Sequence, residues 1–442
     1  MNLKPYPEYK VSGVEWIGEI PKDWNVEKLK FSSTINKESL PENKDLDYEF
    51  FYLDISNVSS NGKILNLELM RLEDAPSRAR RIPNNHDTII STVRTYLKAI
   101  SYLDGIPDNF IVSTGFSILN PKKNIFPRYL YYLVSSDIFV QTVVAYSKGI
   151  AYPAINSSDL ANLPIWYPDF ETQKKLSSFL DKKTSEIDLT IEKDSRLIEL
   201  LKEKRTALIN HVVTKGLDPM VRMKDSGVEW IGEIPEDWNI NRLKFLAAKK
   251  AQYGANEEPE YNENKFDYRY VRITDVNDNG GLKKDSFAYL SKENARGFIL
   301  EEGDVLFARS GATVGKVYYY SSNDGNCCFA GYMIRYVTNK ELLISQFLLY
   351  YSLSKSYKEW IKVVSTQSTI ENVSADKYDE LYIPTPNISE QKQIVEHLDG
   401  EISQIDGIII KIEQKILLLE EYKKSLIHHV VTGKVDVREV AI

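Results

Sequence analysis

The sequence predicts an α+β protein: two similar globular α/β domains separated by an antiparallel coiled coil of two long helices, with pseudo-two-fold symmetry. Three observations carry that prediction. Residues 12–31, SGVEWIGEIPKDWNVEKLKF, return as residues 226–245, SGVEWIGEIPEDWNINRLKF, with changes only at Lys22/Glu236, Val26/Ile240, Glu27/Asn241 and Lys28/Arg242. Weaker matches follow in the same order through each half. Each half then closes on a long stretch whose apolar residues recur with strict 3–4 spacing. A repeat this long indicates two whole domains, each with its own core, rather than a solenoid.

The 442 residues allow two to four domains, and 43% hydrophobic content supplies real cores. No run of eighteen apolar residues occurs, so no membrane span is expected. The opening MNLKPYPEYK lacks the apolar core of a signal peptide, which makes a cytoplasmic protein the default. Cys327 and Cys328 are adjacent, a spacing that suits neither metal binding nor an unstrained disulfide. They are expected to be reduced, on or near a strand. A formal net charge of −7 argues weakly against nucleic-acid binding. A local basic face can nevertheless coexist with acidic helices.

Taken in order, the opening block is expected to pack Trp16, Ile17, Ile20 and Trp24 as a lid, and its second copy to do the same. Residues 51–58 (FYLDISNV) parallel 270–276 (YVRITDV). Residues 87–90 (DTII) parallel 304–307 (DVLF), and both read as short buried strands. Residues 129–132 (YLYY) parallel 347–350 (FLLY), near a helix start in each copy. Polar loops at 147–156 and 365–372 correspond in position yet share few residues, as loops reading different targets would.

Asp169 and Asn387 are natural N-caps for the two long helices, and Glu390 would complete a capping box with Asn387. Gly216 and Gly433 lie just past the C-terminal ends. The seam of the first helix reads Leu180, Thr184, Ile187, Ile191, Asp194, Ile198, Leu201, Arg205, Leu208 and Val212. The second reads Leu398, Ile402, Ile405, Ile409, Ile412, Ile416, Leu419, Lys423, Leu426 and Val430. Asp194, Arg205 and Lys423 break the apolar pattern, either fixing register or sitting at exposed points of the seam. The domains so placed are 1–168, 169–222 (central helix and linker), 223–386 and 387–442 (C-terminal helix).

No motif for chemistry stands out. Residues 311–317 (GATVGKV) resemble a phosphate loop but have three residues between the glycines and Val317 after the lysine. A Gly-containing turn between two strands is the better reading. The five histidines show no ligand spacing, so no metal site is expected; His211 and His429 correspond at the helix ends. No hydrolase elbow, zincin motif or dinucleotide fingerprint occurs. Asp87 and Asp304 match across the repeat but read as turn residues entering strands. Basic residues cluster instead: Arg71, Arg78, Arg80, Arg81, Arg94 and Lys98 in the first copy; Arg269, Arg272, Lys283, Lys284, Arg296, Arg309 and Lys316 in the second. Arginine is the side chain best shaped for bidentate contact with guanine or phosphate.

This arrangement resembles the specificity subunit of type I restriction–modification systems. The resemblance rests on residues 16–21 (WIGEIP) with Trp24 and on their repeat at 230–235 with Trp238. It rests also on residues 87–100, on residues 303–316 (GDVLFARSGATVGK), and on the helix starts at Gln173 and Gln391. It covers essentially the whole chain. It implies two target-recognition domains, each reading half of a bipartite site on double-stranded DNA, with the coiled coil as a ruler across an unread spacer. It implies two modification subunits that methylate adenine N6, and restriction subunits that translocate and cleave. S-adenosylmethionine, ATP and Mg belong to those partners; no cofactor is expected in this chain, which is non-catalytic by itself. The family supplies no residue code for base reading. Charge and loop position make Arg78, Arg80, Arg81, Arg94, Lys98, Lys148 and Tyr152 the DNA-contact candidates of the first domain. In the second they are Arg296, Arg309, Ser310, Lys316, Gln367 and Ser368. The competing readings are a tandem protein- or glycan-binding scaffold, which predicts no salt-dependent DNA affinity, and an enzyme with an active site in each domain.

Overall fold

The computed structural model describes residues 4–149, 153–261, 268–283, 287–311, 313–365 and 372–440. Tyr152, Lys284, Gln367 and Ser368, with parts of both polar loops, lie outside the described residues. The chain forms two compact units, one of Met1–Asp194 with Gln414–Ile442, the other of Ser195–Glu413. Each unit takes part of both long helices, Phe170–Lys215 and Ile388–Val431.

In the first unit one antiparallel sheet runs Ser33–Ile35, Phe116–Pro121, Thr88–Ser91, Ile100–Tyr102. A second runs Glu68–Arg71, Glu49–Leu53, Phe110–Ser113, Ala79–Arg81, with its two middle strands parallel and Phe51 opposite Phe110. The second unit repeats the first sheet as Gln252–Tyr253, Met333–Tyr336, Val305–Ala308, Val317–Tyr319. Its other sheet has three strands, Tyr289–Leu290, Tyr268–Val271, Cys327–Phe329, the last two parallel. The free edge there carries isolated bridges, Ile299 with Cys328 and Ala255 with Ala330. Thr88–Ser91 and Val305–Ala308 are buried at every position, as their continuous apolar runs predict.

Trp24, Tyr129 and Trp166 centre the first core, and Trp238, Tyr351 and Tyr378 the second. The lid expectation holds for Ile17, Ile20 and Trp24 but not for Trp16, which is 44% exposed and lies beside the Tyr146 ring instead. Its counterpart Trp230 is half-buried. The cysteines are free, buried and on a strand; burial pushes each thiol up to about 12, which leaves them inert.

The helix starts form as predicted. The Asp169 carboxylate accepts from the Thr172 N–H at 3.0 Å, and the Asn387 side chain accepts from the Glu390 N–H at 3.0 Å. The capping box does not form: the Glu390 carboxylate turns away and accepts from the Trp238 indole N–H at 3.1 Å. Gly216 (φ 77°) and Gly433 (φ 68°) close the helices in the left-handed conformation. Gln173 and Gln391, both fully buried, explain why each start carries glutamine. Gln173 Oε1 accepts from the Phe126 N–H (2.7 Å), and its Nε2 donates to the carbonyls of Asn124 (3.1 Å) and Pro168 (2.9 Å). Gln391 repeats this with Ile344 (2.8 Å), Leu342 (3.0 Å) and Pro386 (2.9 Å).

Within each unit the helices pair antiparallel. In the first, Lys415 meets Asp194 at 2.8 Å and Lys423 meets Asp188 at 2.6 Å; in the second, Arg205 faces Asp406 at 3.6 Å. Each residue that breaks the apolar pattern thus faces an opposite charge on the other helix, which ties register while adding little stability. The seam is graded. Leu180 and Leu426 sit in the first core, Leu398 and Ile402 in the second. Ile187, Ile198, Ile405 and Ile409 are buried, whereas Ile191, Leu201, Leu208, Ile416 and Leu419 are half-buried. Next to Leu208, Ile209 takes the core position of the second unit. The helix ends therefore belong to the globular cores, where each fully buried leucine contributes about 2 kcal/mol.

Candidate nucleic-acid interface

In both units the strand that begins after the matched aspartate ends in a hairpin loop, residues 92–99 in the first and 309–316 in the second. The aspartates are turn residues in both: Asp87 accepts from the Asn84 N–H and Asp304 from the Glu301 N–H, each at 2.7 Å. Burial raises the pKa of both carboxyls. The Gly311–Lys316 segment is the hairpin connection expected in place of a phosphate loop.

Two left-handed residues shape each loop. In the second unit they are glycines, Gly311 (φ 80°) and Gly315 (φ 84°). At the same places the first unit has Arg94 (φ 52°) and Lys98 (φ 55°). A side chain in this conformation costs about 1–2 kcal/mol that glycine does not.

The polar loops dock on these hairpins. The Arg94 N–H donates to the Pro153 carbonyl (2.9 Å), the Ile155 N–H to the Thr92 carbonyl (2.9 Å), and Val93 bridges Ala154. In the second unit the Val373 N–H donates to the Arg309 carbonyl (2.8 Å), and Ser310 bridges Asn372. A third element joins from below: the Thr92 N–H donates to the Gly115 carbonyl (2.8 Å), and the Arg309 N–H to the Tyr332 carbonyl (3.0 Å). Each unit thus gathers three loops at one edge.

The first edge unites the Arg94 and Lys148 loops, with both residues exposed. Arg78 adjoins through its carbonyl, which accepts from the Thr114 N–H at 2.8 Å. Its guanidinium is 2.9 Å from Asp54 and donates to the Tyr52 hydroxyl. Lys98 is tied to Asp137 at 2.5 Å. Arg81 is turned inward, donating to Asn36 Oδ1 (2.7 Å) and the Phe116 carbonyl, and burial lowers its pKa. Arg80 is half-buried beside it on the edge strand. At the second edge the Arg309 guanidinium lies 4.9 Å from the centre of the Tyr253 ring, a stacked placement. Ser310 adjoins it, half-buried. Lys316 meets Asp278 at 2.7 Å and holds that carboxyl below its usual range. Arg296, exposed, ends the separate Lys292–Ala295 helix.

Charge alone missed Tyr96 (52% exposed), Leu97 (44%) and Tyr332 (65%) at these edges. It also missed the backbone conformation of Arg94. A signal for that existed: residues 91–100 align with 308–317, and the glycines mark the left-handed positions. Among the described residues no group of His, Cys, Asp or Glu could hold a metal, and no helix is long and apolar enough to cross a membrane.

Known proteins agree with this architecture. The chain is 26% identical over 449 residues to the putative type I restriction enzyme MjaX specificity subunit of Methanocaldococcus jannaschii, covering 99% of both chains. Its fold is shared with a chain from a structural study of complex assembly and conformational transition of the type I restriction–modification system (20% identity, TM-score 0.75, 94% of this chain and 99% of that one). The HsdS subunit of Thermoanaerobacter tengcongensis shares it too (21% identity, TM-score 0.53, 94% and 98%). Residues 21–200 and 235–418 each match the type I restriction modification DNA specificity domain, so that both copies and most of the sequence are accounted for, and the chain belongs to that family.

Proposed function

We propose that each unit reads one half of a bipartite site on duplex DNA through its three-loop edge, and that the long helices set the number of unread base pairs. One observation carries this reading. The two units share their supporting contacts almost atom for atom, at Gln173 and Gln391, yet differ at the edge, at Arg94 and Gly311. One frame with two divergent edges is what reading two different half-sites requires.

In this reading the chain does no chemistry. Modification subunits bring S-adenosylmethionine and methylate adenine, and restriction subunits bring ATP and Mg. Single-molecule sequencing of DNA from cells expressing the modification subunit, with and without this chain, tests it. A split motif with N6-methyladenine in both halves, present only with the chain, is expected; an assembled complex that yields no motif overturns it. The ruler has its own check. Four residues added to each helix, about 6 Å of axis, should lengthen the spacer; an unchanged spacer contradicts it.

A further inference from the structure

We infer that Arg309, held on the Tyr253 ring, is the side chain with which the second unit recognises a guanine; this rests on the DNA-reading function proposed above.

Arg309 is fixed from several sides. Its N–H donates to the Tyr332 carbonyl (3.0 Å), and its carbonyl accepts from the Val373 N–H (2.8 Å). Its guanidinium lies 4.9 Å from the centre of the Tyr253 ring, and the Tyr253 hydroxyl in turn accepts from the Ala375 N–H at 3.0 Å. The turn that carries Tyr332 is itself tightly seated. The Gly331 N–H donates to the Ala255 carbonyl (2.7 Å), and a Cβ on Gly331 would run into Asn256 Oδ1. A mobile cation can meet a phosphate, but a bidentate fork on guanine O6 and N7 needs a plane held in advance.

Stacking holds that plane and leaves its hydrogen-bonding capacity unspent. Among the described residues the Arg309 guanidinium makes no hydrogen bond or ion pair; Nε is covered without an acceptor, so the terminal nitrogens form the open fork. Nearby cations are committed. Arg335 meets Asp304 at 2.6 Å and donates to the Ile299 carbonyl at 3.2 Å, and Lys316 meets Asp278 at 2.7 Å. An arginine that served only the fold would close on a carboxylate or a carbonyl as Arg335 does.

The first unit uses the same position differently. Thr92 makes the matching backbone bonds, to Gly115 (2.8 Å) and from Ile155 (2.9 Å), and its hydroxyl donates to the Gly115 carbonyl at 2.9 Å. One backbone frame thus carries a self-satisfied threonine in one copy and an arginine with an open fork in the other. Where the first unit has Gly115, the second has the exposed Tyr332, apolar surface that suits a neighbouring thymine methyl group.

The test uses the full chain assembled with its modification subunits, selecting at low and at high salt from duplexes randomised over both half-sites. Arg309→Lys keeps the charge and loses the planar fork. One half-site should lose a G·C preference at a single position by about tenfold, with the other half and the salt dependence unaltered. Tyr253→Leu removes the platform but no charge, and should relax the same position; Tyr253→Phe, which keeps the ring, should retain the preference. A motif unchanged in both halves, or both halves lost together, overturns the inference. So does uniform weakening across all sequences with a shallower salt dependence in Arg309→Ala, the mark of a phosphate contact. A wild-type complex that selects no split motif would instead overturn the DNA-reading function itself.

Discussion

Gln173 and Gln391 occupy equivalent places and make the same three hydrogen bonds with lengths matching to 0.1 Å. Arg94 and Gly311 also occupy equivalent places, share a left-handed backbone, and have opposite chemistry. The contrast separates two kinds of requirement. A buried amide that closes three backbone groups has no substitute of the same shape. A loop tip must keep its backbone path, but its side chain is free to follow the target. Similarity between the copies therefore tracks burial and hydrogen bonding at the helix starts and fails at the edge.

Several substitutions would sharpen or break this contrast. The largest effect is expected at the glutamines. Gln173→Leu and Gln391→Leu should each destabilise their own unit by about 3–5 kcal/mol, because buried N–H and C=O groups lose their partners. Equilibrium unfolding by urea reads this, and a loss below about 1 kcal/mol in either copy would break the equivalence. Next come the hairpin glycines. Gly315→Ala should cost about 2–4 kcal/mol, since a Cβ there would lie 2.9 Å from Ile361 Cγ1 in addition to the backbone strain. Gly311→Ala meets open space and should cost only about 1 kcal/mol. Equal costs would show that the two positions are not distinguished by packing. Lys98→Gly gains from relieved strain and loses the Asp137 contact, so its net change should stay within about 1 kcal/mol.

The smallest effect separates the helix caps by pH. Asp169→Ala and Asn387→Ala should each cost about 1 kcal/mol at neutral pH. The hydrogen bonds from Thr172 hold the Asp169 carboxyl below its usual range. A depressed carboxyl contributes stability that is present above its unfolded value, about 3.9, and is lost as pH falls through the folded one. The Asp169→Ala penalty should therefore shrink in thermal melts below about pH 4, while the Asn387→Ala penalty stays level.

Much of this was legible in the sequence. The duplication, the buried strands, the caps and the seam all follow from periodicity and turn chemistry, which act locally. Trp16 departs because it sits in the turn ahead of the Glu19–Pro21 strand, where its neighbour Ile17 enters the core and the Trp16 ring is left at the rim beside Tyr146. Glu390 departs because a buried indole N–H at Trp238 competes for its carboxylate, a partner 152 residues away that no local pattern reveals. The interface was legible only as charge. Sequence cannot show that Arg81 turns inward to Asn36, or that Lys98 and Lys316 meet carboxylates, because those partners come from distant segments, one of them the start of the Asp137–Tyr146 helix. The glycine pair at 311 and 315 did hold the missing signal, since a loop built twice needs the same left-handed positions twice.

The central claim is that the two units read independently. Its most direct test exchanges residues 32–165 for those of a relative with a different target and maps methylated adenines by single-molecule sequencing. The account predicts a motif altered in one half, with the other half and the spacer unchanged. A motif altered in both halves would contradict it.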